Sequence, residues 1–529
     1  MKVRWKITVG LATVGLFCAF LLICPRDGTQ KAVEETRRAL RQQGFKVELS
    51  EFDFSTSPEL RIRVAALTNA AQLSVSRSIA ASARRSTLLQ GMPEGAWIVG
   101  SDSALVIWRQ EKLASDSGED LWPALREAFS EDRAELDAAC EAALSGPIHF
   151  NLVASNGHQM VLPHLAAVKV LAHTLATRSV VELHNGNNDA AWTNLLASTR
   201  LVTGWDPEPV ETSHLVRFAC VAIAYNAAWQ TLQAGGWSDD RLATFQREWE
   251  SVDFFHQLPD TAAFARASAV AACRLERQQP LSSGLTIREM ILSPRSAWSA
   301  FNEHRRQVRY RRHGTYEDEM ALLLHYRDRE LELRCAAQCP TWSEMRQLPG
   351  ITKAIPFLSK YPSGMQCLLN LRQLTLAWQL YAQGQVPGQG LPGRAADAEA
   401  RRRIIVTAIA LERYRGRHGA YPKTLAELVP DLLKGPPTDF IDGQPLRYHL
   451  TDDGDFVLYS VALDGTDDGG KFPARREMPF GARGAFGNRQ GADLVWPRPA
   501  SAAEAKRSHQ EQMKITLPNS GRSQTLNDP

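Results

Sequence analysis

The chain has 529 residues, 44% hydrophobic and 22% charged, which is the balance of a globular protein with room for more than one domain. A net charge of +3 is small for that length and excludes a charge-driven nucleic-acid binder. None of its eight cysteines forms a C-x-x-C pair, so the common zinc and thiol–disulfide motifs are excluded as well.

Three basic residues, Lys2, Arg4 and Lys6, precede the uncharged run Ile7 to Cys24. As a helix those 18 residues reach about 27 Å, enough for the hydrocarbon core of a bilayer. The following "LLICPRDG" lacks the small residues of a signal-peptidase site, and its Ile23 is a poor neighbour for a lipidated Cys24. Residues 1–28 are therefore expected to be a retained signal anchor, in preference to a cleaved signal or a buried helix. Basic residues on both sides leave the positive-inside count undecided. The short N-terminal tail favours export, which places the body on the periplasmic side of a bacterial inner membrane.

Residues 29–383 are expected to form a mainly helical body with a small mixed part at its start. "TQKAVEETRRALRQQG" reads as a helix closed by Gly44, "KVELSEFDF" as a short strand, and "GAWIVGSDSALVIW" as a second region able to pair with it. "EDLWPALREAFSEDRAELDAACEAAL" reads as one helix without internal Gly. "LPHLAAVKVLAHTLATRSVVELHNG" puts Leu165, Val168, Ala172 and Leu175 on one stripe and stops at Asn185-Gly186. "DAAWTNLLASTRLV" returns, "ETSHLVRFACVAIAYNAAWQTLQAGG" ends at Gly235-Gly236, and Ser238 is placed to cap "DDRLATFQREWESV". Long helices with short turns predict antiparallel helical hairpins, without a regular repeat period.

Several constellations in this body carry little chemistry. His158, His164, His173 and His184 are too far apart in sequence to ligate a metal from one helix face. "HRRQVRYRRHG", His304 to Gly314, reads as a solvated helix face followed by acidic residues. Trp192, Trp205, Trp229, Trp237 and Trp249 read as core, and Cys335 with Cys339 as a buried thiol pair. No nucleophile elbow, HExxH, Walker loop or dinucleotide fingerprint is present, and no small-molecule substrate is indicated.

"GQVPGQGLPGRAADA", residues 384–398, reads as a Gly/Pro linker and the best domain boundary. Residues 399–499 then form a compact α+β unit. Ile404, Ala408, Leu411 and Tyr414 share a helix face ended by Gly419, and Thr424 with Glu427 make a capping box. "PLRYHL", "TDDGD" and "FVLYSVA" make a hairpin, leading into "LDGTDDGG". The last 30 residues, 500–529, lack a core pattern and are expected to be disordered.

Leu463 to Gly470 can be read as a solvated turn or as a cation loop, since calcium takes roughly six to eight oxygens from carboxylates and carbonyls. It is not an EF-hand: Arg475 stands at the twelfth position and a strand precedes it.

"ALERYRGRHGAYPKTLAELV", "TDFIDGQPLRY" and "DFVLYSVALDGTDDGG" together resemble the globular part of type II secretion major pseudopilins. Tyr421-Pro422, Gly443-Gln444-Pro445 and the stretch from Ser460 to Asp468 match in order over about 70 residues. The chain is also similar, over most of its length, to membrane-anchored proteins of Planctomycetes and Verrucomicrobia type, which end in a segment like "ADLVWP". The resemblance implies calcium held by Asp464, Asp467 and Asp468 with the Leu463 carbonyl. The pseudopilin processing site is missing from "MKVRWKITVGLATVG", so the module carries over and filament assembly does not.

The reading is a mainly α, non-enzymatic, membrane-anchored envelope protein: a helical scaffold with a protein partner and a calcium-stabilised α+β module. The competing reading is an exported hydrolase with a site in the helical body.

Overall fold

The computed structural model describes residues 27–76, four short pieces within 97–113, 120–278 apart from 153, 155, 156, 158 and 159, then 294–348, 390–470 and 493–496. The expected anchor before Asp27, Cys367 and the tail 500–529 lie outside the described residues. Among the described residues no helix is long and apolar enough to cross a membrane.

The chain is mainly helical with a small antiparallel sheet of three strands. In order, α1 spans Asp27–Gln42, α2 Pro58–Ser76, β1 Trp97–Val99, β2 Ser103–Leu105, α3 Trp122–Glu131, α4 Arg133–Leu144, α5 Pro163–His184 and α6 Asn188–Thr203. There follow α7 Glu211–Leu232, α8 Asp239–Glu250, α9 Leu258–Gln278, α10 Pro294–Arg309, α11 Thr315–Ala336, the single turn α12 Trp342–Met345 and the long α13 Leu391–His418. The C-terminal strands are β3 Arg447–Leu450, β4 Phe456–Ser460 and β5 Leu494–Trp496.

The centre is α5, α6 and α7. Gly186 takes a left-handed φ of 79°, which turns the chain from α5 into α6 within three residues and lets the two helices pack along each other. α7 packs against both, and its Ala219, Ala224, Ala227 and Ala228 admit close neighbours around the fully buried Trp229. Four of the five tryptophans expected in the core are buried, and Trp237 packs against it half-buried. Each such side chain contributes on the order of 2 kcal/mol or more by leaving water.

A second layer joins α1 to α9 and α11 over Val33, Leu40, Val270 and Leu323. Its polar seam is strongly ionic. Glu319, fully buried, receives Arg37 of α1 and, at 2.6 Å, Arg277 of α9. Arg266 of α9, also fully buried, meets Glu330 of α11 at 2.8 Å.

Several expectations need correction. "KVELSEFDF" forms no strand: Glu51 Oε2 accepts from the Val47 and Glu48 amides and winds Leu49–Glu51 into a 3₁₀ turn. Trp97–Val99 therefore pairs with Ser103–Leu105, not with that segment. The helix expected across 119–144 breaks at Asp132 into α3 and α4. Arg311 in the basic run pairs with Glu276 at 3.5 Å and is largely covered, so that face is not simply solvated. Cys335 is exposed, and the Cys339 thiol donates to its carbonyl, so the two do not form a buried pair.

The largest correction concerns residues 384–398. Those from 391 onward are helix, not linker: Pro392 sits in the first turn of α13, and Leu391, Ala395, Ala396 and Ala398 are buried. Residues 384–389 lie outside the described residues. α13 packs on α7 and α8 and carries the C-terminal sheet on the same core, so body and module share one hydrophobic interior.

Candidate functional site

The C-terminal sheet has the order β3-β4-β5, all antiparallel. The hairpin pairs Tyr448 with Leu458 and Leu450 with Phe456, and β5 lies on the other side of β4 with Leu458 opposite Trp496. Gly419 closes α13 in the left-handed region at φ 79°, and Thr424 and Glu427 form the expected reciprocal cap. The Asp/Gly loop leaves the end of β4, where Ala462 takes φ 52°, a left-handed conformation costly for a residue with a Cβ.

A single guanidinium organises one side of the loop. Arg447 on β3 reaches Asp442 at 2.7 Å and Asp439 and Asp467 at 3.3 Å each. Asp439 is fully buried and fully engaged: it accepts from the Ile441 and Val461 amides and from Ser460 Oγ. Burial pushes its carboxyl above the usual range, and those three hydrogen bonds oppose the shift. Tyr459 donates to Asp467 Oδ1 at 3.0 Å, and its ring lies where a Cβ on Gly470 would come within 2.8 Å. Gly470 is thus fixed by a close approach as well as by its φ of 69°.

The other side of the loop is closed by a residue the sequence reading did not select. Asp493, only 3% exposed at the entry to β5, accepts the Asp468 and Gly470 amides through Oδ2 at 3.0 and 2.8 Å. Its Oδ1 is buried and, among the described residues, has no hydrogen-bond partner. Burial pushes the Asp493 carboxyl up to about 6, and the negative charges of Asp467 and Asp468 add to the shift.

The four expected ligands separate into different roles. The Leu463 carbonyl accepts from the Trp342 indole at 3.1 Å and so faces the core. Asp464 Oδ1 accepts the Thr466 amide within its own turn. Asp467 is held by Arg447 and Tyr459, and Asp468 lies beside Asp493. Among the described residues no three carboxylate, imidazole or thiol groups converge tightly enough to hold a metal ion. Three aspartates, Asp439, Asp442 and Asp467, share the one Arg447 guanidinium, while Asp464, Asp468 and Asp493 have no ion pair among the described residues, and Asp493 Oδ1 is buried without a hydrogen-bond partner there. The cue to Asp493 was the segment "ADLVWP", whose distance from the loop in sequence hid their contact.

Compared with family models, with curated proteins and with solved structures, the chain matches none.

Proposed function

We propose that this chain is a non-enzymatic, single-pass anchored protein of a bacterial envelope. In this reading the helical hairpins of its body are a partner-binding scaffold, and its C-terminal unit is a pseudopilin-like module held closed by calcium. The buried, unpartnered Oδ1 of Asp493 carries the calcium reading, because a carboxylate oxygen out of water without a partner costs stability unless a cation meets it.

Asp493 Oδ1 would be the first ligand, and Asp464 and Asp468 would have to close around the ion as it binds, since these carboxylates do not converge tightly and Trp342 occupies the Leu463 carbonyl. Calcium there would neutralise the carboxylates that Arg447 leaves uncompensated and tie the loop to β5. The order helix, capped turn, hairpin, Asp/Gly loop and edge strand supports the pseudopilin likeness. Exposed Leu275, Trp298 and Leu331 on α9, α10 and α11 support a partner-binding body. Burial pushes the Cys140 and Cys220 thiols up to about 12, which takes them out of nucleophilic chemistry at neutral pH.

Calorimetric titration of the full chain in mild detergent tests the calcium site. One calcium site is expected, absent in Asp493→Asn, with magnesium a poor substitute. A folded wild-type chain that releases no heat with calcium contradicts the reading. Alkaline extraction of membranes tests the anchor: the full chain stays with the membrane, and a chain lacking residues 1–26 is released.

A further inference from the structure

A second acidic site lies in the helical body, away from the Asp/Gly loop. The segment between α1 and α2, the residues just after α4, the turn between α6 and α7 and the start of α9 enclose a cleft of about 440 Å³. That is within the usual range of small-ligand sites, about 300–1,000 Å³. Four carboxylates line it: Asp53, Asp206, Glu208 and Asp260. So do three aromatic rings, Phe52, Phe54 and Phe150. Among the described residues of its wall the one fixed positive charge is Lys46, whose ammonium lies 4.7 Å from the Phe52 ring centroid.

Among the described residues no Lys or Arg forms an ion pair with these carboxylates, and two of them face histidines. Asp53 is exposed, and its Oδ1 accepts the Ser55 amide at 2.9 Å, which lowers its pKa and keeps it charged. Asp206 is steered by Gln257 and by His149 Nδ1 at 3.4 Å. Glu208 is 5% exposed; His164 Nε2 stands 3.1 Å from its Oε1, yet among the described residues neither carboxylate oxygen has a hydrogen-bond partner. Phe150 stacks on the His164 ring at 4.1 Å and covers that pair from the side.

Carboxylates beside aromatic faces recognise a cation twice, through charge and through the ring quadrupole. The aromatic rings beside these carboxylates favour an organic cation, which gains from the ring face as well as from the charge. We propose that this cleft binds an organic cation, an alkylammonium or guanidinium group. The group comes either from a free diamine-type molecule or from a lysine or arginine side chain of a partner.

Calorimetric titration of the full chain separates the sources. The probes are agmatine and a short unstructured peptide with one arginine, with pentanol as the neutral control. Saturable binding of agmatine or peptide, and none of pentanol, is expected. It should weaken about tenfold or more, about 1.4 kcal/mol, in Asp206→Asn and in Asp53→Asn. Tighter binding of agmatine assigns the cleft to a small amine, and tighter binding of the peptide assigns it to a protein partner; both support the proposal. Asp53 is exposed, so Asp53→Asn keeps the fold and answers even if a variant at Asp206 melts early. Binding unchanged by Asp53→Asn, or no saturation by either probe up to about 10 mM, overturns it.

Discussion

Tyr225, at the middle of α7, donates its hydroxyl to the backbone carbonyl of Val495 in β5 at 2.8 Å. This buried bond ties the central helix of the body to the last strand of the module, and the Trp496 ring meets the Tyr225 ring edge-on at 5.3 Å. Tyr225→Phe keeps the packing and leaves the Val495 carbonyl without that donor. A loss of about 1–3 kcal/mol in urea denaturation is expected, since a buried acceptor then goes unpaired.

The same attachment predicts that the module does not stand alone. Arg413 and Arg417 of α13 both reach Asp239 at the start of α8, at 2.8 and 2.7 Å, and Gln246 of α8 donates to the Leu432 carbonyl at 2.7 Å. Cutting the chain at residue 390 exposes the alanine-lined faces of α13 that α7 and α8 cover. Residues 390–499 expressed alone should be degraded rapidly in limited proteolysis, where the intact chain protects them. Equal resistance of fragment and chain would show the module to be independent.

The seam between α9 and α11 gives a third expectation. Arg266 is fully buried against Glu330, so Glu330→Ala strands a charge out of water and should cost about 3–5 kcal/mol. Replacing both, Arg266→Met with Glu330→Leu, should recover most of that loss. Chemical denaturation of the two variants checks it, and an additive double variant would refute the coupling.

Much of this architecture was legible where a local rule decides. Ser238 accepts the Arg241 amide as an N-cap, Thr424 and Glu427 cap each other, and Gly419 ends α13. Each needs only a few neighbouring residues. The hairpin Arg447–Ser460 likewise follows from its alternation and its turn. Legibility ended where distant residues decide. Gly384 to Ala398 looks like a linker because Gly and Pro dominate it, yet its last residues are helical: Pro is tolerated in a first turn, and the alanines are covered by α7 and α8. "KVELSEFDF" alternates like a strand but has no partner edge, and Glu51 folds it onto its own amides. Asp493 could not be joined to the loop from spacing alone, because only the pairing of β5 with β4 brings them together.

The raised carboxyl of Asp493 fixes a pH dependence. Its folded value of about 6 lies above the ordinary 3.8, so the folded state holds this proton more tightly than the unfolded chain does. Without calcium, the contribution is complete below the ordinary value and fades as pH rises through about 6. Asp493→Asn, which cannot ionise, should remove that decline in a series of melts across this window. With calcium the order reverses, because the ion needs the ionised carboxylate: its stabilising effect should grow as pH rises past about 6.

Thermal melting of the full chain at neutral pH, in calcium and in chelator, tests the central claim most directly. A ligand that binds only the folded state raises the midpoint, by about 2.7 kcal/mol of stability at a hundredfold excess over its dissociation constant. A higher midpoint in calcium, lost in Asp493→Asn and kept in Asp53→Asn, is the predicted result. Equal midpoints in calcium and chelator for the wild-type chain would contradict it and leave the Asp493 loop a closure made by hydrogen bonds alone.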